Sequence, residues 1–258
     1  MEEMNELKEM NEFKEKKSKD KDAMIEVIIV VMLGITALLT AWASWIGSLH
    51  GGNQATNYAA ANNLASEGNS EYNAGVQSMN QDMLLWNEIS DLQIDILFAQ
   101  DNEDEAALNQ STNKLFFKLN DNLSEEMATA IGWDFDYKSE DPQEIVLAWM
   151  EKDEALQSPF SEESFLATYI EKANALLGES QEKMEAGERD NKNGDAFGLV
   201  TVIYSVVLFL LGIAGSFDNR KNRNAVIIIS LFSFIIATIY MLTLPLPDGF
   251  SITSFFKQ

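Results

Sequence analysis

The side chains with the clearest chemical potential are carboxylates, which cluster at two places in the chain. Asp101, Glu103 and Glu105 fall within one short stretch, and Asp134 and Asp136 flank a phenylalanine. Carboxylate oxygens are the hard ligands that Ca²⁺ takes in proteins. Neither cluster is an EF-hand, since the first has no glycine at its sixth position and no glutamate at its twelfth. We therefore expect weak binding of divalent cations there, with a solvated acidic surface as the alternative.

Other kinds of chemistry are restricted by what the sequence lacks. Without cysteine there is no thiolate nucleophile and no Cys-ligated zinc site, and a single histidine, His50, argues against a Ser-His-Asp centre. No phosphate-binding loop, G-x-S-x-G or H-E-x-x-H motif is present. We therefore predict a protein that is not an enzyme and binds no cofactor. His50 itself is open to two interpretations, as a pH-sensing group or as a plain interfacial residue.

The elements that must hold these residues are dominated by three apolar runs. The chain has 258 residues, of which 41 are acidic and 18 basic, yet residues 27–46, 197–217 and 225–247 contain no charged side chain. Each run can cross a bilayer at about 20 residues per helix. No stretch alternates apolar and polar residues as a strand does. The sequence predicts an all-α integral membrane protein with transmembrane helices at 23–48, 197–217 and 225–247.

The orientation follows from the basic flanks. Residues 1–22 form a lysine-rich charged tail and residues 218–224 a short basic turn, so both are expected in the cytoplasm. The segment 49–196 and the tail 248–258 then lie outside the cell. A cleaved secretory signal is the competing reading, with Ala41-Trp42-Ala43 as the cleavage site. The apolar run is longer than the core of a usual signal, which favours an uncleaved anchor.

Small and hydroxyl residues recur on one face of every span, including Gly47 or Ser48 at the end of the first and Ser230, Ser233 and Ala237 in the third. They allow close helix packing in lipid, within one chain or between copies, or they line a pore. Three helices do not easily enclose an aqueous path, so a pore requires a homo-oligomer. Glu26 is an acid at the cytoplasmic interface, or an ion site. The stripe consists of Gly34, Ala37, Ala41, Ser44, Thr201, Ser205, Gly212 and Gly215.

The segment 49–196 is predicted to be an acidic helical domain with a stalk and a cap. It carries 30 acidic and 8 basic residues, which argues against binding of nucleic acid. Apolar residues spaced three and four apart from Tyr72 to Trp86 predict a coiled-coil seam. A second such run ends near Gly187. Because Gly68 lies at a comparable distance from its own span, the two glycines are expected to mark the close approach of an antiparallel helix pair.

Helix starts and aromatic residues define the predicted cap. Acidic or hydroxyl N-caps begin helices near Asp101 to Glu105, at Ser124 and at Asp141, and Ser161 is expected to cap the final long helix. Six aromatic residues should form a small core: Trp133, Phe135, Tyr137, Trp149, Phe160 and Phe165.

Several of these features together resemble a family of small prokaryotic three-span membrane proteins. The likeness rests on a Trp-rich outer edge of the first span, a Gly-Asn-Gln-Ala-x-x-Tyr stretch at 52–58 and a Ser-Pro-Phe turn at 158–160. A helix ending Ala-Gly-Glu-Arg-Asp-Asn at 186–191 and a membrane hairpin with a basic turn complete it. The resemblance implies a fold and a location in the cell membrane. It implies no activity, so no functional residue is transferred.

Two functions remain after this reading. The first is a multi-pass membrane protein that presents an acidic helical domain outside the cell for interaction, sensing or structural support. The second is an oligomeric cation channel in which the acidic domains form a vestibule that concentrates cations. An enzyme acting on lipids or envelope polymers would need a motif that the chain lacks. The predicted partners are the lipid bilayer, further copies of the chain and divalent cations.

Overall fold

The computed structural model describes residues 2–134, 141–217 and 219–250, with side chains described from residue 23 onward. Most of these residues are helical and none lies in a strand, which confirms the all-α prediction. Three of the helices, α1, α7 and α8, are long and apolar enough to cross a bilayer. A 3₁₀ turn occupies Pro159–Ser161. The α-helices are α1 Glu2–Asp101, α2 Glu105–Asn122, α3 Glu125–Ala130, α4 Pro142–Met150, α5 Asp153–Leu156, α6 Glu163–Thr168, α7 Glu171–Ala214 and α8 Arg220–Thr243.

The chain divides into two compact units. Met1–Ala60 together with Lys183–Gln258 forms the span unit, and Ala61–Glu182 forms the cap unit. Residues 49–60 and 183–196, whose assignment to the outer domain stays a prediction, are grouped with the apolar helices in the span unit. The reason is that α1 and α7 remain packed beyond the ends of their apolar runs. One such contact is at Gly187, where an added Cβ would lie 2.5 Å from the Tyr58 ring.

The core of the span unit is built from all three apolar helices. Close approach of α1 and α7 depends on Gly47, where an added Cβ would lie 3.3 Å from Cβ of Phe197. The Tyr204 hydroxyl lies 2.9 Å from Oγ1 of Thr238, which joins α7 to α8. Two apolar clusters form this core. The smaller one consists of Ile29, Val207, Leu211 and Ala214. The larger one consists of Ala43, Ile46, Phe197, Val200, Tyr204, Ala237 and Met241.

Most of the predicted small residues on α1 and α7 do not make these contacts. Gly34, Ala37, Ala41 and Ser44 are all exposed on α1, whereas Ala43 and Ile46 face the core. Thr201 on α7 is half-buried, and Ser205, Gly212 and Gly215, the last of which follows the end of α7, are exposed. Of the other predicted small residues, Gly47 packs against Phe197, and Ser230 and Ala237 on α8 are buried. For the exposed positions, contact between copies or the lining of a pore stays a prediction.

The cap unit has a core of its own, formed by 16 buried residues. Trp133, Trp149 and Phe165 belong to it, as predicted, while Phe135 and Tyr137 lie outside the described residues. The indole nitrogen of Trp149 donates to the carbonyl of Ile131 over 2.8 Å, so the buried ring has a partner. The predicted N-caps are observed: Asp104 caps α2, Ser124 caps α3 and Asp141 caps α4.

One prediction about the long helices is wrong. Ser161 does not cap the last long helix, because its hydroxyl donates to the carbonyl of Ser158 over 2.7 Å. The chain forms the 3₁₀ turn and α6 first, and α7 begins at Glu171.

Gly68 and Gly187 each lie where α1 and α7 approach closely, as expected, although the two glycines do not face each other. Gly68 lies against Leu177 in the cap unit, and Gly187 lies against Tyr58 in the span unit.

The predicted coiled-coil seam is buried only in part. Trp86 is 7% exposed, but Met83, three residues before it, is 38% exposed, and Tyr72 at the other end of the run is 44% exposed. Val76 and Met79 are half-buried. The described structure therefore lacks a continuous buried seam along this part of α1.

Candidate functional site

The most distinctive polar site is a buried pair formed by His50 and Asp190. His50 lies on α1 just beyond the first apolar run, and only 1% of it is exposed. Its Nδ1 is 2.8 Å from Oδ1 of Asp190 on α7, and its Nε2 is 3.1 Å from the carbonyl oxygen of Pro245. One side chain thus joins α1, α7 and the segment that follows α8.

Local features of the sequence bring these three elements together. Gly47 and Gly194 allow α1 and α7 to approach, since a Cβ at Gly194 would lie 3.6 Å from that of His50. Helix α8 ends at Thr243, because the residue before a proline is disfavoured in helical conformation. Pro245 therefore lies outside the helix, and its carbonyl is available to the histidine ring.

Further contacts hold the pair in place. Oδ2 of Asp190 accepts from Nδ2 of Asn57 over 3.2 Å, and the Phe197 ring stacks on the imidazole with centroids 5.8 Å apart. The chain after α8 is also fixed to α1. Nδ2 of Asn53 donates to the Asp248 carbonyl over 3.3 Å, and Phe250 packs edge-on against Trp42 and Trp45.

Both partners of the His50 ring are hydrogen-bond acceptors. A carboxylate oxygen and a carbonyl oxygen each require a donor, so a ring nitrogen must carry a proton to bond to either of them. A neutral imidazole has one N–H and satisfies one partner, whereas an imidazolium satisfies both. In either form the ring lies where α1, α7 and the segment after α8 meet.

The contact with Asp190 predicts an NMR signature that the sequence makes easy to read. His50 is the only histidine of the chain, so ¹⁵N-histidine labelling gives one pair of ring nitrogens. In the detergent-solubilised protein we expect Asp190→Asn to move the Nδ1 resonance, because it replaces the carboxylate oxygen that this nitrogen contacts at 2.8 Å. Asp195→Asn, which changes an exposed acid on the same helix, should leave the resonance in place. An unchanged Nδ1 shift in Asp190→Asn would contradict the contact.

A second buried carboxylate, Asp82, organises the cap unit. Its Oδ2 accepts from the Tyr169 hydroxyl over 2.7 Å and from the Ser124 hydroxyl over 2.6 Å. Ser124 in turn accepts from the amide of Met127 as the N-cap of α3. Burial of the phenol, followed by its hydrogen bond to Asp82 and the charge of that carboxylate, raises the pKa of Tyr169 above its ordinary value. Tyr169 is thus kept as a donor.

The predicted metal ligands are not brought together. Asp101 ends α1, Glu103 adopts a positive φ of 54°, and Asp136 lies outside the described residues. Nearby Asp104 accepts from two amides at the start of α2. Within residues 23–134, 141–217 and 219–250, no three histidine or acidic side chains are grouped to hold a metal ion. Divalent binding, which also involved Glu105 and Asp134, stays a prediction.

Glu26, the interface acid predicted on the first span, is exposed on α1. It follows Ile25 and precedes Ile28, which with Ile227 of α8 line a small apolar crevice of about 190 Å³. The structure therefore leaves Glu26 outside the core of the span unit.

Sequence reasoning did not identify Asp190 or Asp82. For Asp190 a signal existed, since Gly187, Asp190, Gly194 and Phe197 recur at three- and four-residue spacing on one face of α7. A carboxylate within a face of small residues predicts a close, polar contact. No comparable signal marked Asp82.

Comparison of the chain with protein-family models, with curated proteins and with solved structures gives no match, so its function rests on these residues and their geometry.

Proposed function

We propose that this protein is a membrane-anchored module without enzymatic activity, which presents the acidic cap unit outside the cell for interaction or sensing. The observation that carries the proposal is that the cap unit has a separate core of 16 buried residues. Apolar helices on both sides of such a domain in the chain would anchor it to a membrane. Helices α1, α7 and α8 are long and apolar enough to cross a bilayer. Membership of the three-span family described above is part of the same proposal, as is the stalk-and-cap layout.

The charge of the cap unit supports a role in binding cationic partners. Residues 61–182 include 26 acidic side chains and five lysines. Nζ of Lys172 lies 2.6 Å from Oε1 of Glu71, and Lys118 pairs with Glu88. Each of these two lysines thus forms a salt bridge with one acid. Most of the negative charge therefore has no lysine to balance it. Such a surface attracts cations and basic partners and repels nucleic acid.

The buried pair in the span unit supports a role for contacts near the membrane. His50 is placed by sequence at the outer end of the first span, and its ring contacts elements from the two ends of the chain. A sensing function would thus have a defined structural link between the spans and the segment that follows α8.

The second candidate, an oligomeric cation channel, rests on the exposed stripe of small residues and on the acidic cap unit. Hydroxyl groups on the spans offer it limited support. Thr36 is fully buried, whereas Thr201 and Ser205 each donate to the carbonyl four residues earlier and keep their lone pairs for a cation. The channel also requires several copies of the chain, since three helices do not enclose a path.

The cysteine-free sequence permits a direct test of the proposed topology. Single cysteines at Asn80 and Asn222, which are both exposed, should react with an impermeant maleimide from opposite sides of the membrane. We expect Asn80 to be labelled in intact cells and Asn222 only after permeabilisation. Labelling of both from one side would refute the proposal. Cation-selective flux through liposomes, weakened by Glu26→Gln, would favour the channel instead.

A further inference from the structure

A groove on the cap unit has the size and lining of a small-molecule site. It has a volume of about 670 Å³ and runs between α3 on one side and the 3₁₀ turn with α6 on the other. Its floor includes Ala130, Pro159 and Phe165, of which the last two are buried. Ligand sites of proteins typically measure about 300–1,000 Å³ and are mostly apolar. The dimensions therefore suit an organic molecule with an apolar body.

Both walls of the groove are fixed to the same buried carboxylate. Ser124, the N-cap of α3, donates to Oδ2 of Asp82, and so does the Tyr169 hydroxyl from the end of α6. On the floor, the Phe165 ring packs edge-on against Phe160 and Tyr169, with centroid distances of 5.3 Å in each case. Because both sides of the groove are already held in place, ligand binding would cost little conformational entropy of the protein.

The rim of the groove is negatively charged. Glu125 and Glu126 stand on the α3 side and Glu162 on the opposite side, and all three are exposed. The charge of Glu126 also acts on Tyr169, next to the groove residue Thr168, since it adds to burial and to Asp82 in raising the pKa of that phenol. Carboxylates on both sides of an apolar floor attract a positive charge and repel an anion.

We propose that this groove binds a small organic cation with an apolar body. The apolar part would lie on the floor, and the cationic group would lie between the carboxylates of Glu126 and Glu162. A bare inorganic cation would not use the floor, and a neutral compound would gain nothing from the rim. The proposal rests on the proposed function, because it names the chemical class of ligand that the cap unit would bind.

The test uses the full-length protein in lipid nanodiscs and two matched probes. One is a benzyl quaternary ammonium ion, and the other is its uncharged isostere with carbon in place of nitrogen. Equilibrium dialysis against empty nanodiscs corrects for partitioning into lipid. We expect saturable binding of the cation and about tenfold weaker binding of the isostere, a difference of about 1.4 kcal/mol that attraction to the exposed carboxylates of Glu126 and Glu162 together can supply. Absence of saturable binding to the folded protein would overturn the proposal.

Variants locate the binding. Glu125→Gln, Glu126→Gln and Glu162→Gln together should weaken binding about tenfold. The matched control changes three exposed acids elsewhere on the cap unit, Glu67, Glu151 and Glu179, to glutamine and should alter binding less than about twofold.

A steric variant completes the test without changing charge. Thr129 is exposed and lines the groove, so Thr129→Trp should fill it and abolish binding of the probe. Circular dichroism of each variant checks its fold. Equal losses in the two charge-changed proteins, or full binding by Thr129→Trp, would overturn the proposal. The maleimide labelling of Asn80 and Asn222 variants does not depend on any ligand. If the probe does not bind but the two sites are labelled from opposite sides, the ligand proposal is wrong and the proposed topology stands.

Discussion

Replacing His50 by leucine is expected to lower the free energy of unfolding by about 3–5 kcal/mol. The substitution leaves the Asp190 carboxylate buried, with Asn57 at 3.2 Å as its remaining observed partner, and an uncompensated buried charge is costly. The double variant His50→Leu, Asp190→Leu removes both charges and should cost less than His50→Leu alone. Denaturant unfolding of the detergent-solubilised protein, followed by circular dichroism, measures all of these values.

The control for this series is Asp195→Asn on the same helix. Asp195 is exposed, so its substitution should change stability by less than about 0.5 kcal/mol. The series also needs the single variant Asp190→Leu. If the losses of unfolding free energy in His50→Leu and Asp190→Leu simply added in the double variant, the two side chains would be energetically independent. That result would contradict the buried pair as the link between α1 and α7.

Gly75→Ala is expected to destabilise the cap unit by about 3 kcal/mol, the upper part of the range for overpacking. An added Cβ would lie 1.9 Å from the carbonyl oxygen of Tyr169 and 2.9 Å from its carbonyl carbon. These are backbone atoms, so no side-chain rotation can relieve the clash. Either α1 or the junction between α6 and α7 must move, which also disturbs the bond from Tyr169 to Asp82. Thermal unfolding of the full-length protein provides the measurement.

Two other glycines serve as controls for this substitution. Gly178 on α7 has open space around an added Cβ, so Gly178→Ala should stabilise the helix by about 0.5–1 kcal/mol. At Gly187 the added Cβ meets the Tyr58 ring at 2.5 Å, and a ring can rotate, so an intermediate loss is expected. Wild-type stability of Gly75→Ala would show that the approach at Tyr169 is not required for folding.

The sequence alone was sufficient for features that depend on neighbouring residues. Apolar runs without charge predicted the three helices that can span a bilayer, because hydropathy is a local property. Asp104, Ser124 and Asp141 were predictable as helix starts, because each accepts from an amide two or three residues later. Ser161 shows the limit of such reasoning. Its hydroxyl found a carbonyl acceptor in the preceding turn instead.

Only the tertiary structure decided which residues meet across the fold. His50 and Asp190 are 140 positions apart, and Asp82 and Tyr169 are 87 apart, so their contacts depend on the register of packed helices. Periodicity does not fix that register. In the spans it did not identify the inner face of α1 either, where Ala43 is buried and Gly34 is exposed. A helix that is apolar on every side carries no contrast between a face toward lipid and a face toward protein, so packing alone makes the choice.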